Sequence, residues 1–211
     1  RKMIELVDLR YVHLGASNAN DASKWAQEIY GLEEVSRENG RIYLRGDDRD
    51  HNICYFDGDP KDNTVGIEVA DYNALDQAAS HLESNGVEIT WGDDEGAAVR
   101  RCMKYLSFSD PTGNNFDLVV RPFDSGRRYF PSRDAGVHWF NHIGLKTTDA
   151  PRDENFWCTL FNFQANDWIG DAPLMSFDKV HHRFALFPTN EAGVQHINFQ
   201  VRETDDLMRS S

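Results

Sequence analysis

Two histidines, His142 and His196, lie in segments that would turn them toward water while their neighbours face a core. In His196-Ile197-Asn198-Phe199-Gln200-Val201 polar and apolar residues alternate strictly. A strand there would carry His196, Asn198 and Gln200 on one face and Ile197, Phe199 and Val201 on the other. His142-Ile143-Gly144-Leu145 repeats the pattern, with His142 opposite Ile143 and Leu145. Such strands line a wet cavity with one face and pack on a helix with the other. Imidazole nitrogen is a good ligand for divalent iron, manganese or zinc, and two histidines on neighbouring strands can reach a common ion. The competing reading is a pair of hydrogen-bonded core or surface histidines; their placement on two cavity-type strands favours the ion.

The elements that must carry these residues occur twice in the chain. His13-Leu14-Gly15 is answered by His142-Ile143-Gly144, Trp25 to Leu32 by Phe156 to Phe163, His51 to Phe56 by His182 to Phe187, and Ile67-Glu68-Val69 by Phe199-Gln200-Val201. The offsets are 129, 131, 131 and 132 residues. So small a drift over a whole module reads as a duplication. In the first copy Thr64 stands at the position of His196, and Asp117 lies near where a carboxylate ligand would fall, a poor set for a transition metal. That copy therefore reads as a scaffold, with His13 packed inside it. His51 answers His182, so the latter is not unique to the second copy.

Composition narrows the partners. The 211 residues are 40% apolar and 12% aromatic, enough for a packed core in each half. With 22 basic against 35 acidic residues the net charge is −13, which repels nucleic acid and anionic membrane surfaces and favours a small-molecule partner. Cys54, Cys102 and Cys158 are odd in number and far apart, and read as buried thiols rather than disulfides or thiolate ligands. No apolar run approaches the ~18 residues of a membrane span and Arg1 to Arg10 does not read as a signal peptide, so the expected address is the cytoplasm.

The predicted fold class is α+β, with two tandem βαβββ modules forming curved mixed sheets. The first module covers 1–120, a linker rich in Arg, Ser, Gly and Pro covers 121–136, and the second module covers 137–211. In the first module Asp21 is the expected cap of a helix with Ala22, Trp25, Ala26 and Ile29 on one face, closed by Gly31. Strands are expected over Arg41 to Arg45, Asn52 to Phe56 and Val65 to Val69, then a helix from about Asn73 to Gly86 burying Leu75, Ala79 and Leu82. Lys104 to Ser109 and Phe116 to Val120 should form a hairpin around the type I turn Asp110-Pro111-Thr112-Gly113. The second module should open its helix near Pro151 and bury Phe156, Leu160 and Phe161. Leu207 answers Leu75, so this module is expected to be incomplete at its carboxy-terminal end, the chain being a portion of a longer protein.

Together these residues resemble the type I extradiol catechol dioxygenases of the vicinal oxygen chelate superfamily. The likeness spans essentially the whole chain. It rests on Asn141-His142-Ile143-Gly144-Leu145, on His181-His182 followed by the apolar run Phe184 to Phe187, on Val194-Gln195-His196-Ile197-Asn198-Phe199, and on the turn Asp110-Pro111-Thr112-Gly113-Asn114. The resemblance implies a non-metal first module and a catalytic second one. It makes His142 and His196 two ligands of a facial triad for Fe(II), with Mn(II) as the alternative ion, and His182 the acid/base residue. The third ligand, a Glu on a final strand, is expected beyond Ser211. The implied partners are a small aromatic diol and dioxygen, and a homo-oligomer is implied as well.

Two points stay open at this level. If His182 begins a strand, Phe184 and Leu186 share its face, which suits either an aromatic pocket or a buried core histidine. His181 should then point the other way, solvated or bonded to a cap, while Trp168, Phe177 and Phe184 read as ordinary core. Two rival functions share the superfamily. A glyoxalase-like isomerase or lyase commonly divides its ligands between modules, a symmetry that Thr64 spoils. A non-catalytic aromatic-binding protein of the bleomycin-resistance kind has no need of His142, His182 and His196 together.

Overall fold

The computed structural model describes residues 3–133 and 136–209. In chain order the elements are β1 (Leu6–Ala16), α1 (Ala19–Tyr30), β2 (Glu33–Glu38), β3 (Arg41–Arg45), β4 (Ile53–Asp57), β5 (Asn63–Val69), α2 (Tyr72–Ser84), β6 (Ile89–Trp91), α3 (Asp94–Arg100), β7 (Lys104–Ser109) and β8 (Asn115–Val120). Then follow β9 (Val137–Thr147), α4 (Ala150–Leu160), β10 (Gln164–Ile169), β11 (Ala172–Ser176), β12 (Phe184–Pro188), β13 (Gly193–Val201) and α5 (Thr204–Arg209). The expected mixed α+β fold is present as two mixed sheets, an eight-stranded one holding the runs β2-β3-β4-β1 and β5-β8-β7-β6, and a five-stranded one ordered β10-β11-β12-β9-β13. The repeat is finer than two. Strand, helix and three strands recur at β1–β4, β5–β8 and β9–β12, with α3 inserted in the second, and β13 with α5 repeats the opening. That grain escaped the sequence because the quarter-repeats share only a polar pattern, while the halves share residue types.

Compact packing gathers the chain into two units, one from the described residues of 1–9, 65–122 and 142–197, the other from those of 10–64, 123–141 and 198–211. In the first, Trp157 of α4 is fully buried among Phe116, Phe161, Phe163 and Phe184, with ring centroids 4.7 to 5.4 Å away. Trp157 is the anchor that the sequence pattern passed over in favour of Phe156, which is only half-buried. Loss of so large a buried side chain would cost roughly 3–5 kcal/mol. In the second unit α1 buries Ala19, Ser23 and Ala26, while Trp25 and Ile29 remain exposed. The cap is Asn18, whose side chain accepts from the Asp21 N–H, so the helix begins earlier than expected, and its buried face differs from the expected one. Residues 123–133 pack within this unit: Tyr129 is buried, and its hydroxyl donates to the Gly31 carbonyl at 2.7 Å.

Strand register establishes the duplication and corrects it at one point. In both halves the first strand runs parallel to the fourth, with Val12 paired to Ile53 and Ile143 paired to Phe184, a common offset of 131 residues. β2 against β3 and β10 against β11 share that register too, with a bulge between Glu34 and Ser36 in one and between Ala165 and Asp167 in the other. At this offset the counterpart of His142 is Tyr11, and His13 answers Gly144. Matching His-x-Gly with His-x-Gly slipped the alignment by two residues. A slip of two preserves which face each side chain occupies, so the alternation could not reveal it.

Candidate active site

β9 and β13 carry the two expected ligands within one compact unit. Along β9, Ile143 and Leu145 are fully buried while His142 is half-buried on the opposite face, as the alternation requires. His142 Nε2 and His196 Nε2 face each other 3.2 Å apart, with the rings nearly perpendicular. Gly144 permits this approach: a Cβ there would collide with Nδ1 and Cε1 of the His196 ring and lie 3.0 Å from Gln195 Oε1. Gln195 is a functional residue the sequence reading missed. Its Oε1 accepts from His196 Nδ1 at 2.5 Å, which leaves the Nε2 lone pair free toward His142.

His182 does not begin a strand. It sits in the bend before β12, half-buried, its ring centroid 4.1 Å from that of His142. Phe184 packs against Trp157 on the helix side of the sheet, and alternation places Leu186 with it. Phe187 meets the His196 ring at 5.6 Å on the other side. His182 therefore joins the two other imidazoles and not the core. The next residue anchors the bend: the Arg183 N–H donates to the Met175 carbonyl at 2.7 Å, and its carbonyl accepts from the Ile143 N–H at 3.0 Å. The buried Arg183 guanidinium pairs with Asp178 at 2.9 Å and Asp8 at 3.0 Å. His181 is exposed, as expected, yet its Nδ1 lies 3.0 Å from His182 Nδ1. Of the three aromatics expected in the core, Phe177 and Phe184 are buried, whereas Trp168 is about half exposed and donates to Glu154.

The Asp110 turn joins the two strands that carry His142 and His196. Asp110 Oδ1 accepts from the N–H groups of Gly113 and Asn114, and Asn114 spends its own amide on both strands. Its Nδ2 donates to the Lys146 carbonyl in β9 at 2.9 Å, and its Oδ1 accepts from the Gly193 N–H opening β13 at 2.8 Å. Burial pushes the Asp110 carboxyl up to about 6. In the first half the corresponding interior is filled instead. His13 Nε2 and His51 Nε2 are 2.9 Å apart, both buried and packed by the rings of Tyr11 and Tyr43. Asp117 is taken up by Arg100 at 2.7 Å and Ser107 at 2.6 Å, so it is committed to an ion pair.

The three imidazoles are tuned to stay neutral. Burial, then the neighbouring His182 and His196, then Arg183, push the His142 pKa down to about 3. Burial lowers His182, with His181 and His196 adding to it, and burial alone lowers His196. Neutral imidazoles, which can place their lone pairs on Nε2 by a change of tautomer, are the donor set a divalent transition metal takes. Two such donors, each ~2.1 Å from one ion and at right angles, stand about 3 Å apart, which the 3.2 Å separation fits. Among the described residues no three His, Cys, Asp or Glu side chains gather to hold a metal, so the pair supplies two donors. The glutamate expected beyond Ser211 lies outside the described residues.

No model of a known protein family matches the chain. It is 26% identical over 224 residues to a biphenyl-2,3-diol 1,2-dioxygenase from Sphingomonas paucimobilis, covering 97% of this chain and 75% of that protein. It is 25% identical over 222 residues to an iron-dependent extradiol dioxygenase from Rhodococcus jostii (strain RHA1), covering 90% of this chain and 71% of that protein. Among solved structures the fold matches BphC, a halotolerant catechol dioxygenase, with a TM-score of 0.88 at 20% identity over 98% of this chain and 74% of that one. It also matches the Mn(II)-bound glyoxalase from Novosphingobium aromaticivorans, with a TM-score of 0.86 at 20% identity over 98% of this chain and 69% of that one. At such identities the structural matches speak to the fold alone. The resemblance to extradiol dioxygenases read from the motifs is thus met by relatives bearing that name.

Proposed function

We infer that the chain is an extradiol ring-cleaving dioxygenase, adding both atoms of dioxygen to a catechol-type aromatic diol, with His142 and His196 as ligands of a divalent iron. The observation that supports this most is the pair of neutral imidazoles whose Nε2 atoms converge to 3.2 Å on adjacent strands. Iron(II), with Mn(II) as the alternative, supplies Lewis acidity toward the diol oxygens and a path for electrons from the ring to dioxygen. His142 and His196 would hold the ion together with the glutamate expected beyond Ser211. His182 stands beside His142 without joining the ligand pair, where it can take a hydroxyl proton from the diol and return it as the ring opens beside the two hydroxyls. A positioned acid/base of this kind contributes ~10²–10⁴ in rate. Phe187 sets an aromatic ring beside His196, 5.6 Å between centroids, on the same side of the sheet.

Among the described residues no helix is long and apolar enough to cross a membrane. The free thiols Cys54, Cys102 and Cys158 fit a reducing compartment, and we assign the protein to the cytoplasm. The deciding experiment loads the purified protein anaerobically with Fe(II), adds biphenyl-2,3-diol or 3-methylcatechol, and admits air. A yellow ring-opened product with one dioxygen consumed per diol is expected. Absence of both colour and oxygen uptake from iron-loaded protein would overturn the assignment, and tight binding of unreacted diol would favour the non-catalytic reading.

A further inference from the structure

We propose that His181, braced by Asn166 and Asp167 on the bulge of β10, is a positioning residue that selects the tautomer of His182. The inference rests on the acid/base role given to His182 above. His181 Nδ1 and His182 Nδ1 are 3.0 Å apart, so one must donate and the other accept. The opposite nitrogen of His181, Nε2, faces Asp167 Oδ2 at 3.8 Å, and a nearby carboxylate favours a proton on that nitrogen. His181 Nδ1 then carries the lone pair, His182 Nδ1 carries the hydrogen, and His182 Nε2 is bare. A bare Nε2 is what a base needs in order to accept a proton from a diol hydroxyl. Asn166 fixes the same residue from behind, its Nδ2 donating to the His181 carbonyl at 2.8 Å. Both braces come from the irregularity between Ala165 and Asp167, where the strand gains an unpaired residue and its side chains are re-aimed.

The duplication supplies an independent instance of the arrangement. At the 131-residue offset His181 answers Asp50 and His182 answers His51, and there Asp50 Oδ1 lies 3.0 Å from His51 Nδ1. In each half, therefore, the residue just before the histidine engages its Nδ1. The bulge differs: the first half has Val35 and Ser36 where the second has Asn166 and Asp167. An aspartate accepts directly and needs no brace. A histidine can either donate or accept, and its choice must be set by something else.

Two readouts test this, one independent of turnover. In nitrogen-15 spectra of the metal-free protein, His182 should be the Nδ1–H tautomer in the wild type and in His181→Asp, whose carboxylate can only accept, as Asp50 does from His51 in the first half. It should shift toward Nε2–H in His181→Ala. In the iron-loaded protein with biphenyl-2,3-diol, His181→Ala should lower kcat roughly 10–100-fold, the usual effect of removing an outer partner, with iron content and KM unchanged, and His181→Asp should recover much of the loss. An unchanged His182 tautomer in His181→Ala, or a kcat within twofold of wild type, overturns the proposal, as does loss of iron along with activity. Absence of ring cleavage by the wild type while the tautomer still follows residue 181 would sink the dioxygenase reading and leave the positioning role standing.

Discussion

Gly144→Ala offers the sharpest check on the site because it adds one methyl group and removes nothing. The added carbon would overlap the edge of the His196 imidazole and touch Gln195 Oε1. Restoring ordinary carbon–nitrogen contact requires the ring to retreat by about 1 Å. Gly144 lies in the middle of β9, flanked by the buried Ile143 and Leu145, so the strand cannot yield and the ring must. Overpacking of this kind costs typically 1–3 kcal/mol in stability. Displacing a ligand nitrogen by that distance breaks the 3.2 Å convergence, and a 1 Å misplacement at a reacting centre can cost ~10²-fold in rate. The assay is iron content after gel filtration, followed by ring cleavage at saturating diol and a urea unfolding curve. Substoichiometric iron and at least a tenfold loss of activity are expected, with the fold retained. Wild-type iron occupancy and turnover in Gly144→Ala would refute the ligand geometry argued here.

Three further outcomes follow from the same contacts. His196→Ala should lose iron and activity together, whereas His182→Ala should keep its iron and slow turnover ~10²–10⁴-fold; equal iron loss in both, measured by metal analysis, would erase the distinction between ligand and acid/base. Asn114→Ala removes the amide that joins Lys146 in β9 to Gly193 in β13 and strands a buried backbone N–H, so denaturant unfolding should show a loss of about 2–4 kcal/mol. For pH, His142 is depressed from an unfolded value of ~6.5 to about 3. The unfolded chain then binds the proton first, so this group's contribution is full above ~6.5 and is lost as pH falls through that window toward 3. Between pH 6.5 and 5 metal-free protein should lose about 1 kcal/mol relative to His142→Ala, allowing for half-burial; identical pH slopes for the two proteins would contradict the shift.

Much of the site was legible because its chemistry is written in short strings. His142 and His196 stand on alternating strands, and a period of two survives any sheet context. What the sequence hid depends on three-dimensional detail. Trp25 is apolar yet exposed, because α1 packs its small residues Ala19, Ser23 and Ala26 inward, so residue type alone does not mark its inner face. Gln195 and Gly144 fall inside the motifs, but their roles do not show there, since one acts by folding back on its neighbour and the other by lacking a side chain. Asn114 was visible as part of a turn, yet its bridging of β9 and β13 depends on pairing between strands more than thirty residues away. The slip from Tyr11 to His13 is the most instructive error, because identity of residue type outweighed register and the alternation kept silent.

The filled interior of the first half carries a lesson for anyone wishing to rebuild a second reactive centre there. Tyr11 occupies the seat that His142 has in the sister half, and His13 stands where the sister half has Gly144 and uses that clearance. Exchanging Tyr11 for histidine would leave the His13 imidazole wedged into the gap that an incoming ion and its partner ring require. A second imidazole would also have to replace Thr64, which stands at the position of His196, so three positions separate the first half from the pair in the second.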